Sequence, residues 1–300
     1  MSEGSERAGL AYALGGFVML ATGDAVVKSM AGLWAPTAIA ALRYTLGAVG
    51  LSALLFASEG RAGFRMPRPR LQWLRGAAVA VATLCFFSAL FVMPLDEATT
   101  IVFVSPMITG LLAPLFLKET SRAATWIASA LAFVGVLIVL RPSFAELGFA
   151  ALLPLGSALG MSVLVIANRA VSGTASALAM QIFVAGTAAP LLVAATVLGH
   201  VSGMDALRID WPEWSVAARC AVVAFTASLG HYLIYMGTTR AGAATIAPMT
   251  YVQLIVAVAL GWWWFGDTPD GATLLGAAII IGAGLYLWRA GSIKRAAPAV

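Results

Sequence analysis

The stretch Gly230–Gln253, GHYLIYMGTTRAGAATIAPMTYVQ, joins the end of one apolar segment to the start of the next. It carries His231, Tyr232, Tyr235, Tyr251 and Gln253 inside otherwise membrane-like sequence. Polar groups at membrane depth are costly, and a chain keeps them there to line a cavity or to bind something. The surrounding composition supports that reading. Over 300 residues the chain is 61% hydrophobic and 10% charged, with a mean hydropathy of +0.93, outside the range of soluble domains. The apolar runs are about 20 residues long, as bilayer-crossing helices require, and lack the alternating ten-residue pattern of a membrane barrel. The fold class is an all-α membrane bundle.

Ten spans are predicted, at roughly 9–30, 35–57, 71–93, 98–117, 122–141, 149–171, 174–198, 214–237, 242–265 and 271–289. Asp24 and Lys28 interrupt the first apolar run, which is also too long for a signal peptide, so it is read as a mature helix. Two connections are longer than the rest: Ser58–Arg70, rich in Arg and Pro, and Gly199–Glu213, whose Trp211 sits close to Trp214 as in an interfacial belt. If the N-terminus is cytoplasmic, 13 of the 18 Lys and Arg fall on the inside, while Asp96, Glu97, Glu146, Asp205, Asp210, Glu213, Asp267 and Asp270 fall outside. The expectation is that both termini are cytoplasmic. The formal charge of +5 thus reports orientation rather than nucleic-acid binding. Cys85 and Cys220 lie in apolar segments and read as free buried thiols.

The stretch also contains half of an internal repeat. Ala243-Ala-Thr-Ile246 aligns with Ala98-Thr-Thr-Ile101, and Leu285-Tyr-Leu-Trp-Arg289 aligns with Leu137-Ile-Val-Leu-Arg141, at offsets of 145 and 148. Two halves follow, residues 1–145 and 146–300, of five spans each. Because five is odd, the second half crosses the membrane in the opposite sense to the first. Inverted repeats around a midplane site belong to secondary transporters; a duplicated bundle of purely structural role is the alternative.

These residues carry a family resemblance. Phe265-Gly-Asp-Thr-Pro-Asp270, with Thr273, Gly276, Gly284-Leu-Tyr286 and Arg289, resembles the end of the second repeat in the drug/metabolite transporter superfamily. Its first-half cognate runs from Ser105-Pro106 through Lys118-Glu119 to Gly135. Within that superfamily the chain resembles the ten-helix EamA-type exporters, and most nearly the bacterial exporters of amino acids, aromatic ones especially. The second copy departs from the first, with Gly266-Asp267 where the first has Lys118-Glu119. The resemblance implies a central cavity between the halves and alternating access through it.

Repeat pairing sets Phe86 against His231, Phe87 against Tyr232 and Leu90 against Tyr235. His231, Tyr235 and Thr238 share one helix face, and a histidine and tyrosine facing inward can grip a zwitterion or an aromatic ring. The plainer alternative is an interhelical hydrogen bond; Tyr232 is expected to pack. Thr245, Met249 and Gln253 form a second stripe, with Thr99, Thr100 and Ser105 opposite, and Tyr251 is a further candidate off that stripe. Pro106 and Pro248 each free a backbone carbonyl inside a span and are candidate hinges. Asp24 and Lys28, spaced i, i+4, are expected to pair, with proton coupling through Asp24 as the alternative. Arg43, about 12 Å into its helix, counters a substrate carboxylate or pairs with Asp24. Gly156 and Gly160 allow close helix approach.

Rival classes fare worse. His231 with Ser228, and Gly156-Ser157, offer fragments of a serine protease without a fixed base, nucleophile and oxyanion hole, and a channel shares only the polar path. The expected function is export of small amphipathic metabolites, amino acids including aromatic ones first, with a drug or nucleotide-type carrier second. No cofactor, metal or nucleic acid is expected. The partners are a small-molecule substrate and membrane lipid, a monomer suffices, and the place is the bacterial inner membrane.

Overall fold

The computed structural model describes residues 3–117, 123–241 and 246–296. Among them are ten helical spans long and apolar enough to cross a membrane. Helices are the expected solution, since each backbone N–H finds its partner within the segment and none is left to lipid. The spans are built from α1 (Glu3–Lys28), α2 (Pro36–Glu59), α3 (Pro69–Val92), α4 (Leu95–Val102), α5 (Ser105–Leu117), α6 (Ala123–Leu147), α7 (Leu153–Ala170), α8 (Ala177–Val201), α9 (Trp214–Ala241), α10 (Tyr251–Leu260) and α11 (Gly271–Ala296). The end at which α1 begins carries Arg7, Arg61, Arg65, Arg68 and Arg70 and forms the basic face. Asp96, Asp205, Asp210, Asp267 and Asp270 lie at the opposite, acidic face.

The fourth span is two helices, not one. Pro106 has no N–H to give the Val102 carbonyl, so the chain loosens at Phe103–Val104 and α5 starts afresh at Ser105. In the second half Pro248 lies in the 3-10 turn Ala247–Thr250, directly before α10. Pro106 therefore opens a helical segment, where the missing donor costs nothing, and does not kink the middle of a continuous helix as expected; Pro248 stands in the turn that leads into α10. The fourth span also begins at Leu95, three residues earlier than predicted, which brings Asp96 and Glu97 inside it.

Packing repeats in the two halves. The most extensive contact joins α1 to α9, and its counterpart joins α7 to α3. The fifth and tenth spans, α6 and α11, pack together, as do the second and seventh, α2 and α8. Likewise α1 meets α10 as α7 meets α4 and α5, and α3 meets α8 as α2 meets α9, the last pair less closely. Each relation survives exchange of the halves, which is the signature of two five-helix units related by an inverted twofold.

With no hydrophobic drive between helices in lipid, close van der Waals approach holds them. A Cβ on Gly16 would lie 2.7 Å from the Gly230 carbonyl oxygen, so glycine lets α1 and α9 touch backbone to backbone. Gly160 likewise admits α3, where a Cβ would lie 2.7 Å from the Ala78 carbonyl oxygen. The bundle turns large apolar side chains outward, among them Phe116, Trp126 and Phe133, each more than half exposed. Cys85 and Cys220 are free thiols.

Candidate substrate cavity

Five helices, α2, α3, α7, α8 and α9, enclose a cavity of about 160 Å³. Its polar lining is Arg43 and Tyr44 from α2, Arg75 from α3, Asn168 from α7, Gln181 from α8, and Ser228 and His231 from α9. Among the described residues no carboxylate lines it. The cavity therefore holds a second arginine beside Arg43, the deep cation expected from sequence. Arg75, assigned to the membrane surface from its place near the start of α3, is 5% exposed. Its Nε donates to Asn168 Oδ1 at 2.6 Å, one Nη donates to Gln72 Oε1, and the other to the Met180 carbonyl at 3.3 Å. All three acceptors are neutral, so its charge is solvated but not cancelled.

Arg43 is held differently. Its guanidinium lies over the rings of Tyr44, at 4.6 Å, and Phe87, at 5.6 Å, and the Tyr44 hydroxyl is 3.1 Å from Thr83 Oγ1. Stacking occupies the plane of the guanidinium and leaves its N–H edge for an anion. Among the described residues no carboxylate forms a direct ion pair with it; Asp24, the alternative partner, feels its charge without a bridge. His231 opens onto the same space. Its Nδ1 is 2.7 Å from the Ala227 carbonyl; a carbonyl only accepts, so Nδ1 carries a proton and is committed to its own helix.

The other expected ligands lie elsewhere. Tyr235 is 47% exposed and Tyr232 56%, and neither lines the cavity. Leu90 is buried in the main core with Phe86 packed against it, because α3 turns that face toward the bundle centre. Thr99 is buried and bonds back to the Leu95 carbonyl, while the Ser105 carbonyl accepts from Ser162. Met249 packs on Phe17 and Ile246. Tyr251 stacks tilted on Phe103 at 5.6 Å, with its hydroxyl directly against Gly284. Thr245, Lys118 and Glu119 lie outside the described residues.

The charged pair was also misassigned. Asp24 accepts from Gln253 Nε2 at 3.0 Å, whereas Lys28 crosses to the second half and pairs with Asp267 at 2.6 Å. An i, i+4 spacing permits an ion pair, but the tertiary partner lies closer and brings more. Lys28 Nζ also donates to the Met93 carbonyl at 3.2 Å and lies over the Phe265 ring at 5.2 Å. One ammonium thus ties the ends of α1, α3 and the segment after α10 together at the acidic face.

An inverted ten-span bundle around a polar midplane cavity is the architecture of a secondary transporter. The profile of the EamA-like transporter family matches residues 7–141 and, a second time, residues 148–289. The chain belongs to that family. It is similar to a riboflavin transporter of Rhizobium johnstonii, 29% identical over 234 residues that cover 76% of this chain and 74% of that protein. An S-adenosylmethionine uptake transporter of Rickettsia bellii is 26% identical over 230 residues, 76% of this chain and 75% of that one. A pseudopaline exporter of Pseudomonas aeruginosa is 25% identical over 268 residues, 89% and 90% of the two chains. A solved crystal structure, 20% identical, superposes with a TM-score of 0.62 over 96% of this chain and 97% of that one, a likeness of fold.

Proposed function

We propose that the protein carries a small amphipathic metabolite with an anionic group by alternating access, holding the anion at Arg43 and Arg75 and the apolar or ring portion against Tyr44 and His231. The observation that carries this reading is a cavity with two arginines and no acid. Export of amino acids, aromatic ones included, is the first assignment, because their carboxylate and side chain divide as the lining does. A nucleotide-type cargo is the second; the extra buried arginine would meet its phosphate, and relatives named for riboflavin and S-adenosylmethionine widen the range to ring-bearing metabolites. The chain is read as a carrier rather than an enzyme, in the bacterial inner membrane, with both termini and the basic face cytoplasmic. Loading then takes place from the cytoplasm. Asp24, joined to Gln253, is the coupling candidate within the spans.

The test is exchange in proteoliposomes loaded with single compounds: aromatic amino acids, riboflavin, S-adenosylmethionine and a nucleotide. A compound that carries a carboxylate or phosphate should move and saturate, and riboflavin, which carries neither, serves as the uncharged comparison. Arg43→Gln should weaken its binding roughly 10- to 100-fold, the worth of one hydrogen bond to a charged group, about 1.5–3 kcal/mol. Unchanged affinity in that variant sinks the anion assignment.

A further inference from the structure

The acidic-face closure holds more negative charge than it neutralises. Asp96, in the first turn of α4, is 2% exposed; no side chain donates to its carboxylate, which has only the N–H groups of its own turn, Asp96 and Glu97, beside it. One turn further along the same helix face, Thr100 is 1% exposed, and its hydroxyl has no partner. A buried threonine ordinarily bonds back to the carbonyl four residues earlier, as Thr99 does with Leu95 at 2.6 Å. Thr100 does not. Three buried oxygens that no side chain satisfies, two of them on one carboxylate, therefore lie one turn apart on α4, where native structures pair nearly every such group.

The charges around them leave Asp96 without a countercharge of its own. Lys28 from α1 and Asp267 from the turn before α11 are the charged side chains that act on it. Glu97 stands beside it on the same turn, and no charged group of α3, α6, α7, α10 or α11 is among those acting on it within the described residues. Lys28 is committed to Asp267 and to the Met93 carbonyl. A second carboxylate shut from water with no countercharge is unfavourable unless a cation joins it. Hard oxygen donors, a carboxylate with a hydroxyl, suit a proton or an alkali-metal ion.

We propose that Asp96, with Thr100, binds a monovalent cation while the acidic face is closed. Opening that face separates Lys28 from Asp267, admits water to Asp96 and releases the cation, so closure and cation binding are linked. This rests on the closed end alone and not on the identity of the cargo.

Dicyclohexylcarbodiimide, which modifies protonated carboxyls in apolar surroundings, distinguishes the two sources. With the purified full chain in detergent, peptide mapping separates Asp96 from Asp24. Labelling of Asp96 that falls as pH rises and ignores sodium identifies a proton. Labelling suppressed by sodium but not by choline, with a rise in Tm, identifies the metal ion, and Thr100→Val should then weaken sodium protection at least tenfold. Asp96→Asn, the neutral isostere, should match or exceed the wild-type Tm at neutral pH without sodium. Absence of Asp96 labelling at every pH, together with a Tm indifferent to sodium, overturns the proposal whether or not the variant folds.

Discussion

Arg75 and Arg43 are the same residue type in one cavity, yet their surroundings assign them different work. The Arg75 fork satisfies Asn168, Gln72 and the Met180 carbonyl on three helices, whereas Arg43 leans on aromatic faces. Arg75→Leu should therefore lower stability by on the order of 1–3 kcal/mol for each buried acceptor left unpaired. Arg43→Gln should cost no more than about 1 kcal/mol, the worth of an exposed cation–π contact. Thermal unfolding in detergent separates the two; equal losses would mean that Arg43 too is structural. Sequence reading found Arg43, because it lies well inside an apolar run, and missed Arg75. Six residues into α3, with further arginines just before it, Arg75 looks like part of the basic rim. Its partners at 168 and 180 become visible only once α3, α7 and α8 are packed.

At the scale of the helix, termini follow local chemistry closely. Asp270 precedes α11, and its carboxylate accepts the Thr273 N–H at 2.7 Å, the usual N-cap arrangement. That bond holds its carboxyl below the ordinary value of 3.8. A group whose native pKa is depressed contributes stability above the ordinary value and loses it as pH falls through the native one. Asp270→Ala should thus lower Tm at neutral pH, by about 0.5–1 kcal/mol given its exposure, and the gap from wild type should close below about pH 4. A gap that persists in acid would rule the cap out. The ten spans were legible for the same reason that caps are: composition and length act within one segment. The break before Pro106 was half legible, since the proline is visible but not that a new helix begins at it. Lys28 was not, because Asp267 and the in-helix Asp24 compete for it, and only the fold brings Asp267 within 2.6 Å.

For the molecule as a whole, the two ends are in opposite conditions. The acidic end is tied by Lys28, while the cavity lies between α2 and α9, the pair that packs less closely than its counterpart α3 and α8. Loosening one end should tighten the other. In a background free of Cys85 and Cys220, Lys28→Ala should raise the yield of a disulfide between Gly47→Cys and Ser228→Cys, which line opposite walls of the cavity. Equal yields with and without Lys28 would uncouple the ends. The unequal closeness of α2–α9 and α3–α8 has one more consequence. If the protein works by the alternating access proposed above, the snug arrangement of α3 on α8 is a template for how α2 would lie on α9 after the turnover stroke, because each half is an inverted copy of the other. The protein's unseen second shape is thus already drawn in the first, with the two halves having traded places.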